Sequence, residues 1–264
     1  MKILYIGDIM GDMGIASVEK LLPEIVKTEK VDFVVAQAEN VTAGKGISLL
    51  DYLKLKKLGI DAFTGGNWSL AKDTIIPSLN NPEEPIVRPA NYPKGTDGLG
   101  YKLINKNGQK VLIISLLGQI VGRDSKRQMD NPLKVVDEII EKFKSENPII
   151  VVNFHGDYSS EKKVIGYYLD GRASLVVGDH WHIPTADAMV LPKGTAHITD
   201  VGMCGSLDSS LGVKLSSIIE RWQKNIQTMN VLEDSGRMQF NAVLADIDEK
   251  THLATDIKQI QKIV

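Results

Sequence analysis

Ile149-Ile150-Val151-Val152-Asn153-Phe154-His155-Gly156-Asp157 and Ser174-Leu175-Val176-Val177-Gly178-Asp179-His180-Trp181-His182 are built alike: a β-branched apolar run closes on histidine. Together they hold three of the chain's five histidines. Short apolar, β-branched runs of this kind read as strands. In an open α/β sheet the carboxyl ends of such strands line the crevice where ligands bind. Working outward, the same pattern recurs upstream. Asp8 follows Lys2-Ile3-Leu4-Tyr5-Ile6-Gly7, Glu39-Asn40 follows the run 31–37, and Asn67 follows Ile60-Asp61-Ala62-Phe63-Thr64. Five strand ends converging on Asp, Glu, Asn and His read as a metal site.

Between these runs lie amphipathic stretches, which is the βαβ signal of an α/β fold with a largely parallel sheet. Strand 2–7 is followed by a helix near 14–28, with Ile15, Val18, Leu21, Leu22 and Ile25 at helical spacing. Strand 31–37 leads through Ala43-Gly44-Lys45-Gly46-Ile47 to a helix near 48–58 that Ser48 caps. Strand 60–64 precedes a short helix ending before Pro77, and the prolines between Asn80 and Asp97 mark an irregular crossing. Strands near 99–105 and 110–117 flank Asn105-Lys106-Asn107-Gly108, a hairpin signal. A helix near 131–146 opens with Asn131-Pro132. Strand 148–153, helix 159–169, strand 173–178, a glycine-rich tail and two closing strands around Asp248-Glu249-Lys250 complete the chain. With no repeat and no linker, a single domain over 1–264 is expected.

A net charge of −2 argues against general nucleic-acid binding, which shows as a basic excess. One cysteine, Cys204, excludes an internal disulfide and suits a reducing compartment. Met1-Lys2 runs straight into a strand pattern with no signal-peptide layout. The apolar stretch from Val111 is broken by Ser115, Gly118 and Gln119, short of the roughly 20 residues a membrane helix needs. A cytoplasmic location is expected, without membrane partners; assembly into a homo-oligomer is left open.

Hydrolysis of phosphate esters at a dinuclear centre needs a bridging carboxylate, several neutral ligands, and open positions for water and substrate. Glu39 is the natural bridge. Asp8, Asn40 and Asn67 supply oxygen, and His155, His180 and His182 supply imidazole, with His180 and His182 turned to different ions. Mixed nitrogen and oxygen ligation fits iron, manganese or zinc better than magnesium or calcium. Taken singly these residues have plainer readings: Asp8 as a helix cap, Glu39-Asn40 as a loop start, His155 as a core histidine. Their joint order is what favours the metal site. His197 and His252 read as structural or solvated, and Cys204 as a buried inert thiol. The loop at Gly44-Lys45-Gly46 lacks the spacing of a P-loop, and Lys45 meets either substrate phosphate or water.

In this order the residues resemble the calcineurin-like metallophosphoesterases, and in detail their bacterial YmdB-like phosphodiesterase branch. Gly7-Asp8-Ile9-Met10-Gly11, Glu39-Asn40 with Gly44-Lys45-Gly46, and Gly178-x-His180-x-His182 carry the resemblance. It continues through Ser160-Glu161-Lys162, Tyr168-Leu169-Asp170-Gly171-Arg172, Thr185-Ala186-Asp187 and Thr199-Asp200-Val201-Gly202-Met203. It implies a four-layer α/β/β/α metallophosphoesterase sandwich with two metal ions, often iron or manganese. It further implies hydrolysis of cyclic nucleotides, 2′,3′ or 3′,5′, by a hydroxide that the two ions generate. Two positions depart. Where the family has a histidine after the metal-binding asparagine, as proton donor to the leaving group, this chain has Trp68, followed by Ser69-Leu70-Ala71 in place of x-Trp-Asp. Indole N–H does not titrate usefully. Trp68 reads as filler for the lost histidine, with a stacking platform as the other reading. Asn153 stands where Asp is common before Phe-His, which changes the hydrogen bonding behind the ligands. The missing donor keeps a second function open, a metal-bound regulatory or interaction protein with weak or lost turnover.

Overall fold

In the structure, a computed structural model that describes residues 1–119, 121 and 129–264, the apolar runs pair into two sheets. The first contains β1 (Lys2–Ile6), β2 (Asp8–Ile9), β3 (Phe33–Gln37), β4 (Ala62–Thr64), β11 (Met203–Ser206), β12 (Met238–Ile247) and β13 (Ala254–Ile263). The second contains β5 (Tyr101–Lys106), β6 (Gln109–Leu117), β7 (Ile149–His155), β8 (Leu175–Asp179), β9 (Met189–Val190) and β10 (Ala196–Ile198). Helices are α1 (Gly11–Glu29), α2 (Leu49–Lys57), α3 (Ile76–Asn80), α4 (Pro132–Phe143), α5 (Ser159–Tyr168) and α6 (Leu215–Lys224).

Strand alternation alone produces the layers, because successive side chains point to opposite faces. Ile3 and Tyr5, with Phe33 and Val35, face Val111, Ile113, Ile149, Val151, Leu175 and Val177 in a core between the sheets. The alternate residues Leu4, Ile6, Val34 and Ala36 face outward onto Ile15, Val18 and Leu22 of α1 and Tyr52 and Leu55 of α2. Likewise Leu112, Ile114, Ile150 and Val152 face Val136 and Ile139 of α4 and Ile165 of α5. Every residue of β3 and β7 is therefore buried, which is why neither run alternates with polar residues. The four-layer sandwich expected from the resemblance is the fold.

Parallel pairing holds where the site lies: β1, β3 and β4 run together, as do β6, β7, β8 and β10. β5 and β9 at the edges of the second sheet, and β12 and β13 in the first, pair antiparallel, so the sheets are mixed. Ser48 caps α2 by accepting from the Asp51 N–H, and Asn131 caps α4 from the Leu133 N–H. Asn107 and Gly108 both take positive φ, as a two-residue hairpin turn requires.

Other boundaries move. α1 starts at Gly11 and carries Pro23 inside it. A short 3₁₀ helix at Asp73–Ile75 does end before Pro77, and the chain then continues directly into α3, where Pro77 sits in the first turn and its missing N–H has no partner to lose. His155 is the last residue of β7, not the residue beyond it. The glycine-rich tail contains β9, β10, β11 and α6, the strands being only two to four residues long and too short for periodicity to register. His197 is core, its Nδ1–H donating to the Val176 carbonyl, and His252 sits in the turn before β13 at φ 57°. Cys204 is buried in β11, and burial pushes its thiol up to about 12. Among the described residues no helix is long and apolar enough to cross a membrane.

The chain after β8 is tied down by Asp187, which accepts from Thr185 Oγ1 at 2.7 Å, Thr199 Oγ1 at 2.5 Å, Thr199 N–H at 3.1 Å and Lys163 Nζ at 2.9 Å. Partial burial opposes ionisation, but these donors outweigh it and hold the carboxyl well below its usual range. A depressed acid stabilises the fold above its unfolded pKa near 4 and loses that contribution as pH falls below it. Asp187→Asn should therefore cost about 1–2 kcal/mol at pH 7. The gap to wild type should narrow progressively as pH falls below about 4, as urea unfolding at a series of acidic pH values will show.

Candidate metal centre

All seven residues singled out from the sequence meet at the carboxyl ends of the two sheets. Asp8 opens β2 just beyond β1, Glu39 and Asn40 follow β3, Asn67 follows β4, His155 closes β7, and His180 and His182 come from the turn after β8. They form two groups. In one, His155 Nε2 lies 3.0 Å from Glu39 Oε1 and 2.9 Å from Asn67 Oδ1, and the His155 and His180 rings meet edge to face at 4.5 Å. Potential ligand atoms, one each from Glu39, His155 and His180, lie within 4.8 Å of one another, close enough that the three could hold a metal ion. In the other, His182 Nε2 lies 3.0 Å from Asp8 Oδ2, which accepts from Asn40 Nδ2 at 2.6 Å. Asn40 joins the groups, its Nδ2 lying 3.5 Å from Glu39 Oε1 and 3.4 Å from His182 Nε2. For Asn40 to ligate an ion, its carboxamide must turn its oxygen inward.

Packing around Glu39 leaves no slack. A Cβ on Gly66 would collide with Glu39 Oε2 and sit 2.6 Å from His155 Cδ2, so only glycine lets the β4 turn pass this close. The same turn returns the Trp68 backbone N–H to Glu39 Oε2 at 3.2 Å.

Behind the histidines lie residues that sequence reading did not assign. Asp179 Oδ1 takes His155 Nδ1 at 2.6 Å, while its Oδ2 accepts from Gln37 Nε2 and Asn153 Nδ2, both at 2.6 Å. The departure at 153 is thereby explained within this chain: the amide donates to Asp179 and accepts from Ser115 Oγ at 3.1 Å. His182 Nδ1–H donates to the Leu211 carbonyl at 3.1 Å. Both imidazoles are held by Nδ1 from outside and turn Nε2 to a carboxylate of the centre, the arrangement that orients histidine for a metal. His180 Nε2 lies 3.0 Å from Asp157 Oδ1. The one available signal was position: Asp179 closes a strand immediately before His180.

Electrostatics follow from this crowding. Burial would depress His155, yet Glu39 and Asp179 outweigh it and hold the ring well above its usual value. His182 is raised against its burial by Asp8. His180, partly buried and beside the His155 charge, is pushed down to about 4. Asp179 is held low despite burial by His155 and its other donors.

The loop 42–46 packs against the turn 68–72, with Ala43, Gly44 and Gly46 at positive φ and the Gly46 N–H donating to the Glu39 carbonyl. Lys45 is exposed at its tip, its Nζ 4.7 Å from the centroid of the half-buried Trp68 indole. Trp68 is thus half-buried and carries a cation on its ring.

A family model described as YmdB-like protein matches residues 4–260. A Bacillus subtilis protein named 2′,3′-cyclic-nucleotide 2′-phosphodiesterase is 38% identical over 260 residues, covering 98% of this chain and 96% of its own length. Two crystal structures superpose over 100% of this chain. One, described as a novel phosphatase from Mycoplasma pneumoniae, has TM-score 0.91 and 30% identity over 93% of its chain. The other, a hypothetical protein from Thermus thermophilus, has TM-score 0.90 and 32% identity over 99% of its chain. A match of this extent places the chain in the YmdB-like protein family.

Proposed function

We propose that this protein is a metal-dependent phosphodiesterase that hydrolyses 2′,3′-cyclic nucleotides. Buried charge is the observation that carries the reading. Asp8, Glu39, Asp179 and Asp200 are each at most 1% exposed within one network, faced by the Lys162 ammonium and by the His155 and His182 rings that these carboxylates hold above their usual pKa. Carboxylates buried at this density need further cations. Asp8 Oδ1 is buried and receives no hydrogen bond among the described residues, which is costly for a carboxylate oxygen unless it ligates an ion.

The donor set fits two transition ions. Glu39, Asn67, His155 and His180 would hold one, and Asp8, Asn40 and His182 the other, with Glu39 shared; iron or manganese suits these donors. Such ions, when bound, stabilise charge on the phosphoryl oxygens and lower the pKa of water towards neutrality. The chain's own residues do the rest. Asp179 and the Leu211 carbonyl fix the tautomers of His155 and His182. Lys45, held at the rim over Trp68, offers its ammonium to the substrate phosphate. The name of the Bacillus subtilis relative supports attack that opens the 2′ ester and leaves a nucleoside 3′-phosphate.

The direct test is hydrolysis of 2′,3′-cyclic AMP by protein loaded with Mn²⁺ or Fe²⁺, before and after chelation. Activity that disappears with EDTA, returns with metal and yields 3′-AMP is expected. Metal-free protein that cannot be reloaded would end the proposal. Trp68, which brings no titratable group to the donor's place, supports a second reading, a metal-bound protein of weak turnover. Cleavage of bis(p-nitrophenyl) phosphate without cleavage of 2′,3′-cyclic AMP would favour it.

A further inference from the structure

Lys162 lies on α5 with its side chain wholly buried, and it ligates nothing in the centre described above. Its Nζ is 2.7 Å from Asp200 Oδ2 and 3.9 Å from the centroid of the Trp181 ring. Replacing a buried ion pair by apolar side chains is often neutral or stabilising, so stability alone does not account for this one.

Both partners lead to the histidines. Asp200 Oδ2 also accepts the Trp181 backbone N–H at 3.0 Å, and its Oδ1 accepts the Gly202 N–H at 2.9 Å. The Trp181 ring N–H donates to the Asp157 carbonyl at 2.9 Å, and the Asp157 carboxylate faces His180. Trp181 separates His180, at φ 102°, from His182, at φ 64°. Side-chain-bearing residues avoid this region, and such conformations persist only where the surroundings over-determine them. Lys162 also adjoins the support of His155: a Cβ on Gly178 would lie 3.0 Å from Lys162 Cδ, and the next residue is Asp179.

We propose that Lys162 is a positioning residue for the metal centre: clamped between Asp200 and the Trp181 indole, it locks the His180-Trp181-His182 turn so that the two imidazoles face separate carboxylates. The strained turn needs a hold from outside itself, and a cation on a packed helix supplies it through one hydrogen-bonded charge and one ring contact. The inference rests on the reading of His180 and His182 as ligands.

Mn²⁺ titration calorimetry and the EPR signal of a coupled ion pair test it, alongside near-UV circular dichroism and Tm for folding. Lys162→Met/Asp200→Asn removes both charges together and should stay folded. It should bind Mn²⁺ about 10–100-fold more weakly, the usual loss when a group supporting a ligand is removed, and lose the coupled signal. Lys162→Arg, which keeps charge and ring contact, should recover most of the affinity. Wild-type Mn²⁺ affinity and signal in the folded double variant would overturn the proposal, whatever its Tm. Should the double variant not fold, Trp181→Leu removes the covered ring alone; unchanged Mn²⁺ binding there overturns it equally. His180→Ala and His182→Ala separate the two levels. If both bind Mn²⁺ as wild type does, the ligand assignment fails and the role of Lys162 falls with it.

Discussion

Glu39→Gln is expected to lose at least one metal ion and to cut hydrolysis of 2′,3′-cyclic AMP about a thousandfold or more. Glu39 is the residue that touches both halves of the centre. Oε1 meets His155 and Asn40, and Oε2 takes the Trp68 N–H. Two close cations need a full negative charge between them, and an amide supplies none. Metal-ion catalysis is worth several kcal/mol, and each 1.4 kcal/mol is about a factor of ten in rate. Gln is nearly isosteric, and its carbonyl oxygen can still accept from Trp68, so the fold should survive. Metal content by elemental analysis, read beside initial rates, decides the matter. Two ions per chain in the variant would show that Glu39 does not bridge.

Trp68→His should raise kcat on 2′,3′-cyclic AMP while leaving p-nitrophenyl esters almost unchanged. A ribose alkoxide departs poorly without a proton, whereas p-nitrophenolate needs none. General acid assistance is typically worth 10²–10⁴-fold, which bounds the gain. The backbone at 68 is already anchored to Glu39, so a histidine there starts from a fixed Cβ beside Asn67. The gain should fall short of the upper bound, because Ser69, Leu70 and Ala71 do not offer the family's Trp-Asp. The substitution also frees Lys45 from the indole, which should appear as a raised KM on both substrates and not as a change in kcat. Equal changes in kcat on both substrates would mean that residue 68 governs access instead of proton transfer.

The strands that build the centre were legible because each is an apolar run buried on both faces that stops on a polar residue. Asp8, Glu39, Asn40, Asn67, His155, His180 and His182 could therefore be named, and the structure brings them together. The hairpin at Asn107-Gly108 and the caps at Ser48 and Asn131 were legible for a similar reason: their chemistry is local. Failures concentrate where local signals are weak. β9, β10 and β11 are too short for a period to show, and α6, which buries no residue, lay unseen in the glycine-rich tail.

From the sequence alone followed which residues stand at strand ends, and hence the ligand candidates and an α/β fold, because apolar runs and chain order suffice for both; the four-layer sandwich came as what the family resemblance implied. Only the tertiary structure decided what holds those candidates in place. Gln37 and Asp179 are 142 positions apart, Lys162 and Asp200 are 38 apart, and the Leu211 carbonyl reaches His182 across 29. No periodicity connects such pairs. They meet because the two sheets present their carboxyl ends to one crevice. Once buried there, each charge and each ring nitrogen must find a partner, wherever in the chain that partner lies.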